Sequence, residues 1–263
     1  MNDSVKELAV NSGGLRGRSD SNKQFGSSDF DAWVNGLIDG LEFSSVLDIC
    51  CGTGNQLVLY AAREAVRRIV GVDLSTESLA VAQDRLAQKG RAEIVDLIHA
   101  KMDETFVHHS IKGARFDLIS CFYGLYYSDD VISLLRQMTD HLSDVGKVVV
   151  VGPYGENNAT FFEILSRYFE LPELVYSSSC TFMEQEVVPL LRNGLNLSVH
   201  SFTNKIRYPD VGSLMKYWRA TTFFSAKYEA SVRRDLELHF ARHGEFVMEK
   251  HVMAAIAQQS RKS

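Results

Sequence analysis

The chain has little with which to hold a nucleic acid. Its 28 Lys and Arg stand against 33 Asp and Glu, a formal net charge of −5, with no concentrated basic run. Polyanionic partners and anionic membrane surfaces call for such a run, so the composition argues against both. Cysteine is scarce too. Cys50, Cys51, Cys121 and Cys180 lack metal-ligand spacing, and the adjacent pair is a strained disulfide at best. The expectation is reduced thiols, no metal and a cytoplasmic setting. No apolar run approaches the ~20 residues of a membrane span; the longest, such as Val148 to Val151, are of strand length. Asp3, Lys6 and Glu7 interrupt the N-terminus where a secretory signal would be apolar. No internal repeat is visible. What remains is an ordinary globular composition, 45% hydrophobic and 23% charged over 263 residues. That length accommodates one large α/β domain with an elaborated cap, or two small ones.

Against these absences stands one stretch, Val46-Leu47-Asp48-Ile49-Cys50-Cys51-Gly52-Thr53-Gly54-Asn55-Gln56. An apolar run stops at a small-residue loop and enters an amphipathic pattern: strand, tight turn, helix start. Glycine reaches positive φ and lets a ligand approach bare backbone, while the helix N-terminus offers unpaired N–H groups. A lone Gly-x-Gly is a weak signal. It gains weight from the second apolar run, Arg68-Ile69-Val70-Gly71-Val72-Asp73, whose acid falls about 20 residues further on, where dinucleotide-like folds bind a ribose diol. The alternative role for Asp73 is to cap the helix that begins near Thr76.

The elements follow the same rhythm. Asp29 onward is an amphipathic helix, Leu57 to Val66 a helix, Thr76 to Lys89 a helix capped by Ser75-Thr76-Glu77-Ser78 and stopped by Gly90,. Strands are expected at Ile94 to Ile98, Phe116 to Cys121 and Lys147 to Val151, with a helix over Asp130 to Leu142. Strands alternating with helices at this spacing mean parallel βαβ units, with ligands at the strands' carboxyl ends. Beyond Pro153 the expectation is an aromatic helix over Ala159 to Phe169, a capping box at Thr181 to Glu184 opening a helix to Arg192, strand six from Leu195 to Arg207, a lid helix within Pro209 to Phe224, a helix from Tyr228 to Arg242 and a last strand from Phe246 to Ile256,. Residues 1 to about 22, rich in Ser, Asn, Gly and charge, read as a mobile tail or latch, in which Arg16 and Arg18 could reach a carboxylate.

Asp48-x-x-Cys51-Gly52-Thr53-Gly54, Val72-Asp73-Leu74-Ser75 and Phe116-Asp117-Leu118-Ile119-Ser120-Cys121 resemble the successive motifs of class I S-adenosylmethionine-dependent methyltransferases. A nicotinamide fingerprint would need a third glycine where Leu57 stands. The resemblance covers residues 20 to 153 well and implies an α/β fold: a Rossmann-like doubly wound sheet, mostly parallel with an antiparallel last strand, plus a helical substrate cap. It divides the chain into an N-terminal latch and helix (1–40), a cofactor-binding core (41–153), cap insertions with strand six (154–224) and a C-terminal helix with the last core strand (225–263). For S-adenosylmethionine, and S-adenosylhomocysteine as product, it implies contacts from Asp48, Cys50, Cys51, Gly52 and Gly54, from Asp73 and Leu74, from Met102 and Asp103 beside the adenine, and from Cys121. Two departures stand out. Cys50 occupies the family's first glycine position, where a side chain would crowd backbone at positive φ, and Lys101 occupies a position where the family commonly has an acid.

Methyl transfer from a sulfonium needs alignment and exclusion of water more than a strong acid or base; alignment alone can be worth ~7 kcal/mol. Tyr126 and Tyr127 stand where the family often has a His pair, and either hydroxyl could orient a nucleophile, although a phenol near pKa ~10 is a poor general base at neutral pH. Tyr123, Tyr217 and Trp218 are candidate substrate contacts, within an aromatic set (Phe161, Phe162, Tyr168, Phe169, Tyr217, Trp218, Phe223, Phe224) that could line a pocket or simply form core. His108-His109 reads as solvated. The expected activity is methyl transfer to an O, N or C atom of a small metabolite. The alternatives are an RNA or protein acceptor and a non-catalytic S-adenosylmethionine-binding protein.

Overall fold

The structure, a computed structural model, describes residues 12–259. In chain order its elements are helix α1 (Ser12–Phe25), α2 (Phe30–Asp39), β1 (Ser45–Ile49), α3 (Asn55–Ala61), β2 (Arg68–Asp73), α4 (Thr76–Gln88), β3 (Val95–His99), β4 (Phe116–Phe122), α5 (Val131–Asp140), β5 (Leu142–Pro153), α6 (Ala159–Leu165), α7 (Glu173–Tyr176), α8 (Val188–Arg192), β6 (Leu195–Tyr208), α9 (Val211–Arg219), α10 (Glu229–His243) and β7 (Phe246–Gln259). The seven strands form one sheet in the order β3-β2-β1-β4-β5-β7-β6. β1 pairs in parallel with β2 and β4, β2 with β3, and β4 with β5, while β7 runs antiparallel between β5 and β6. The expected Rossmann-like sheet is thus present, its antiparallel last strand included.

The fold divides into two compact units. The second comprises Val34–Gly152, Met183–His200 and the described residues from Met253 on. Its core is aliphatic: Val46, Leu47, Ile49, Ile69, Val70 and Val72 lie fully buried on β1 and β2, the continuous apolar runs of parallel strands covered on both faces. The first unit comprises the described part of Met1–Trp33, Pro153–Phe182 and Ser201–Val252. Its core is aromatic, with Phe161 packing edge-on to Trp218 and Phe246 at 6.2 and 6.0 Å between centroids, beside buried Tyr208, Leu214 and Phe223.

Several expectations need correction. The segment read as a mobile tail or latch contains α1, in spite of its three glycines. Tertiary contacts outweigh the poor propensity: the Arg18 guanidinium donates to the Ala220 carbonyl at 2.6 Å, Ser21 Oγ bonds Tyr208 Oη at 3.0 Å, and Phe25 packs on Tyr208 at 5.4 Å. Residues 1–11 of that segment lie outside the described residues. Thr181 opens no helix. Helical turns precede it from Glu173, including a π-helical turn at Ser177–Thr181, and its hydroxyl donates back to the Ser177 carbonyl at 3.5 Å instead of capping forward. Strand β5 begins at Leu142, earlier than its apolar run. α3 ends at Ala61, since Arg63 and Val66 close tight turns onto Tyr60 and Arg63.

Candidate functional site

Parallel register sets the site. With Asp48 opposite both Gly71 and Ser120, the segments that leave β1, β2 and β4 emerge side by side at the carboxyl ends of the strands, where open α/β sheets bind ligands. The β1 loop is built from backbone. Cys51 N–H donates to the Val72 carbonyl at 3.0 Å and Gly54 N–H to the Cys51 carbonyl at 3.0 Å. Gly54 sits at φ 78° and caps α3; a Cβ there would lie 2.8 Å from Ala82 Cβ, so only glycine lets α4 approach the loop. Ordered donors then hold the loop to Asp73: Gly52 N–H reaches Oδ2 at 2.8 Å and Ser75 N–H reaches Oδ1 at 2.8 Å. Burial raises the Asp73 pKa while these amides pull it back. Capping of α4 falls to Ser75, whose Oγ accepts from Ser78 N–H at 3.2 Å.

Cys50 adopts the left-handed conformation expected to exclude it, at φ 61°, and a second residue makes room. A Cβ on Gly124 would meet Cys50 Cβ at 2.5 Å and its Sγ at 2.7 Å, so glycine at 124 accommodates the side chain displaced from position 50. A hydrogen bond with Cys121 and burial push the Cys50 thiol well up, which leaves it protonated and unreactive at neutral pH. Among the described residues Tyr123 is the other left-handed non-glycine residue of this unit, at φ 55°, its N–H bonded to the Val151 carbonyl at 2.8 Å. Strained backbone of this kind costs on the order of 1–3 kcal/mol and concentrates at ligand sites.

Asp48 lies beneath the loop, 1% exposed. Tyr60 Oη donates to Ser120 Oγ at 3.0 Å and Ser120 Oγ to Asp48 Oδ1 at 2.6 Å. Burial raises its pKa to about 7, against the pull of the Ser120 hydroxyl. Sequence inspection missed Tyr60 and Ser120 as its partners; Ser120 was visible in the third motif, but only the β1–β4 register sets it opposite Asp48.

The remaining candidates fall in three places. Leu74 is half exposed at the end of β2, its carbonyl 2.9 Å from His99 Nε2. Met102 and Asp103 open a short 3₁₀ turn after β3; Asp103 Oδ1 accepts from Ser128 Oγ at 2.5 Å and Oδ2 from Asp129 N–H at 3.1 Å, which ties this loop to the one after β4. Cys121 is buried on β4, and Tyr123 is 39% exposed. Tyr126 and Tyr127 follow in a 3₁₀ turn with their rings edge-to-face at 4.6 Å. Tyr217 and Trp218 belong to the other unit. Trp218 has no exposed surface and its Nε1 donates to the Phe223 carbonyl at 3.2 Å; the expected substrate contact is packed into the core of its unit. Tyr217 is also buried, its hydroxyl bonded to Lys250. No helix among the described residues is long and apolar enough to cross a membrane.

This arrangement fits S-adenosylmethionine. Glycine backbone without side chains at positions 52 and 54, an acid at the end of β2 and apolar residues flanking it suit a ribose diol and an adenine. The comparisons agree. Residues 46–146 match the family described as "Methyltransferase domain". The chain is 26% identical over 202 residues to a demethylmenaquinone methyltransferase of Lactococcus lactis, covering 75% of this chain and 72% of that one; it spans about half the length of the other demethylmenaquinone methyltransferases it matches. Among solved structures it resembles a putative methyltransferase from Bacillus halodurans (TM-score 0.63, 15% identity, 88% of this chain and 99% of that one). It also resembles the plantazolicin methyltransferase BpumL, solved with S-adenosylhomocysteine (TM-score 0.53, 16% identity, 98% and 94%). Residues 46–146 thus match a methyltransferase domain, carried on the Rossmann-like fold of S-adenosylmethionine-dependent methyltransferases.

Proposed function

We propose that the protein transfers the methyl group of S-adenosylmethionine to an oxygen, nitrogen or carbon atom of a small metabolite. The cofactor supplies an electrophilic methyl group on a sulfonium; the chain holds, orients and dries the site. The observation that carries this reading is the Asp73 carboxylate at the end of β2, fixed by Gly52 and Ser75 amides, with accepting capacity left for both hydroxyls of a ribose. Cys50 to Gly54 present backbone to the cofactor, Asp48 braces that loop from below, and Leu74, Met102 and Cys121 supply apolar contact. Asp103 has each oxygen already occupied by one donor, so its reading is that of a loop brace which can accept one further bond at the adenine edge.

Tyr123, half exposed after β4, is the substrate contact this reading keeps, and Tyr126 and Tyr127 orient the nucleophile through their hydroxyls. A small acceptor is favoured by the net charge of −5, which suits neither RNA nor an anionic surface, and by the demethylmenaquinone methyltransferases among its relatives. Isothermal titration with S-adenosylmethionine and, separately, S-adenosylhomocysteine tests the reading. Both should bind, and Asp73→Ala should weaken each roughly 10- to 100-fold, the range for losing hydrogen bonds to a charged group. Absence of heat with either ligand, from folded protein, would sink it.

A further inference from the structure

In the first unit, Lys250 of β7 reaches two side chains brought from far away in sequence. Its ammonium donates to Asn158 Oδ1 and to the Tyr217 hydroxyl and lies 4.5 Å over the Tyr217 ring. Asn158 stands at φ 61° with no cap bond from its side chain, its own N–H anchored to the Glu249 carbonyl at 2.9 Å. Arg18 is close enough to act on both Tyr217 and Lys250 and spends one guanidinium nitrogen on the Ala220 carbonyl. Two cations therefore share a partly buried corner. Among the described residues no carboxylate pairs with either; Glu249, the preceding residue of β7, is engaged by Lys205 at 2.9 Å and His251 at 3.3 Å.

A desolvated cation without a counter-ion is costly, and an ammonium has three donors, of which Asn158 and Tyr217 take two. We propose that Lys250, Arg18, Tyr217 and Asn158 form an anion-recognition site for the carboxylate of a small organic acid. The third ammonium hydrogen and the remaining guanidinium donors meet the two carboxylate oxygens, and Asn158 and Tyr217 fix the direction of the amine. Lys250 is half-buried. The site lies wholly within the first unit and does not depend on the methyl-transfer reading.

Burial, with a smaller contribution from Arg18, lowers the Lys250 pKa to about 7. The titratable and charged groups facing the amine are Tyr217 of α9 and Arg18 of α1, with Tyr208 of β6 behind Tyr217; burial pushes both phenols upward, so only Lys250 among them changes charge near neutrality. Carboxylate affinity should therefore fall as pH rises above neutral.

The probe is benzoate, with benzamide as its uncharged counterpart, titrated calorimetrically into the whole protein. Benzoate should bind and benzamide should not, Lys250→Met should weaken benzoate roughly tenfold or more, and Lys250→Arg should bind benzoate with no loss between pH 7 and about 9, where the wild type weakens. Near-ultraviolet circular dichroism and thermal unfolding of each variant serve as the folding control, and S-adenosylhomocysteine titrated alongside separates this site from the cofactor site. Equal binding of benzoate and benzamide, no binding of benzoate, or an unchanged affinity in Lys250→Met overturns the proposal. A pH dependence retained in Lys250→Arg does the same.

Discussion

Asp48 in the second unit and Lys250 in the first are ionisable groups held near neutrality, and they arrive there from opposite ends of the pH scale. Burial lifts the Asp48 carboxyl to about 7 and lowers the Lys250 amine to about 7. Their surroundings differ in kind. Asp48 lies among β-strand aliphatics, 1% exposed, and accepts from Ser120, itself backed by Tyr60. Lys250 lies beside aromatics with one donor unassigned. A group sealed from solvent braces a loop, whereas a half-buried one with a donor left over is suited to bind something.

The largest break in this comparison should come from the aromatic core. Trp218→Ala removes a fully buried side chain and leaves the Phe223 carbonyl without its donor, at a cost of about 3–5 kcal/mol, measurable as a lower urea midpoint. Amide exchange should rise across the first unit's cluster while affinity for S-adenosylhomocysteine, a second-unit property, holds.

Next come opposite pH slopes. Between pH 3.8 and about 7 folded Asp48 keeps a proton that the unfolded chain has lost, so its contribution to stability is present below that window and declines as pH rises through it. Between about 7 and 10.5 unfolded Lys250 keeps a proton that the folded chain has shed, so stability rises with pH there. Each slope has a ceiling of about 1.4 kcal/mol per pH unit. Thermal unfolding across pH should lose the acid-side slope in Asp48→Asn and the alkaline-side slope in Lys250→Met, each leaving the other intact; one variant erasing both would mean the two groups titrate together.

A smaller effect sharpens the cofactor side. Gly124→Ala should destabilise by about 1–3 kcal/mol through overpacking against Cys50, and adding Cys50→Gly should recover most of that loss. Cys50→Gly alone should change stability by no more than about 1 kcal/mol, as relief of the left-handed residue offsets the lost burial. Chemical denaturation of the four-member cycle gives the coupling; strict additivity would contradict the steric fit between positions 50 and 124.

Much of the cofactor half was legible in the chain. Apolar runs ending at Asp48 and Asp73, glycines at 52 and 54 and the cap at Ser75 are local features, and local rules apply to them: period, turn chemistry and helix capping. α1 was not legible, because its residues favour a helix only when Arg18, Ser21 and Phe25 find Ala220 and Tyr208. The Thr181 capping box failed for the complementary reason. A cap signature acts only where the preceding backbone is extended, and there it was already helical. Trp218 could have been pocket or core by spacing alone, and burial in three dimensions made it core.

The sequence by itself determined the order of strands and helices in the cofactor half, the glycine loop, the acid that follows it and hence the class of cofactor, because each rests on local patterns. Only the tertiary structure decided that Ser120 and Tyr60 hold Asp48, that Gly124 makes room for Cys50, and that Lys250 meets Tyr217, Asn158 and Arg18. Those contacts join residues separated by 33 positions, for Lys250 and Tyr217, to more than 200, for Lys250 and Arg18, and distance along a chain carries no side-chain pattern from which a contact in space can be read.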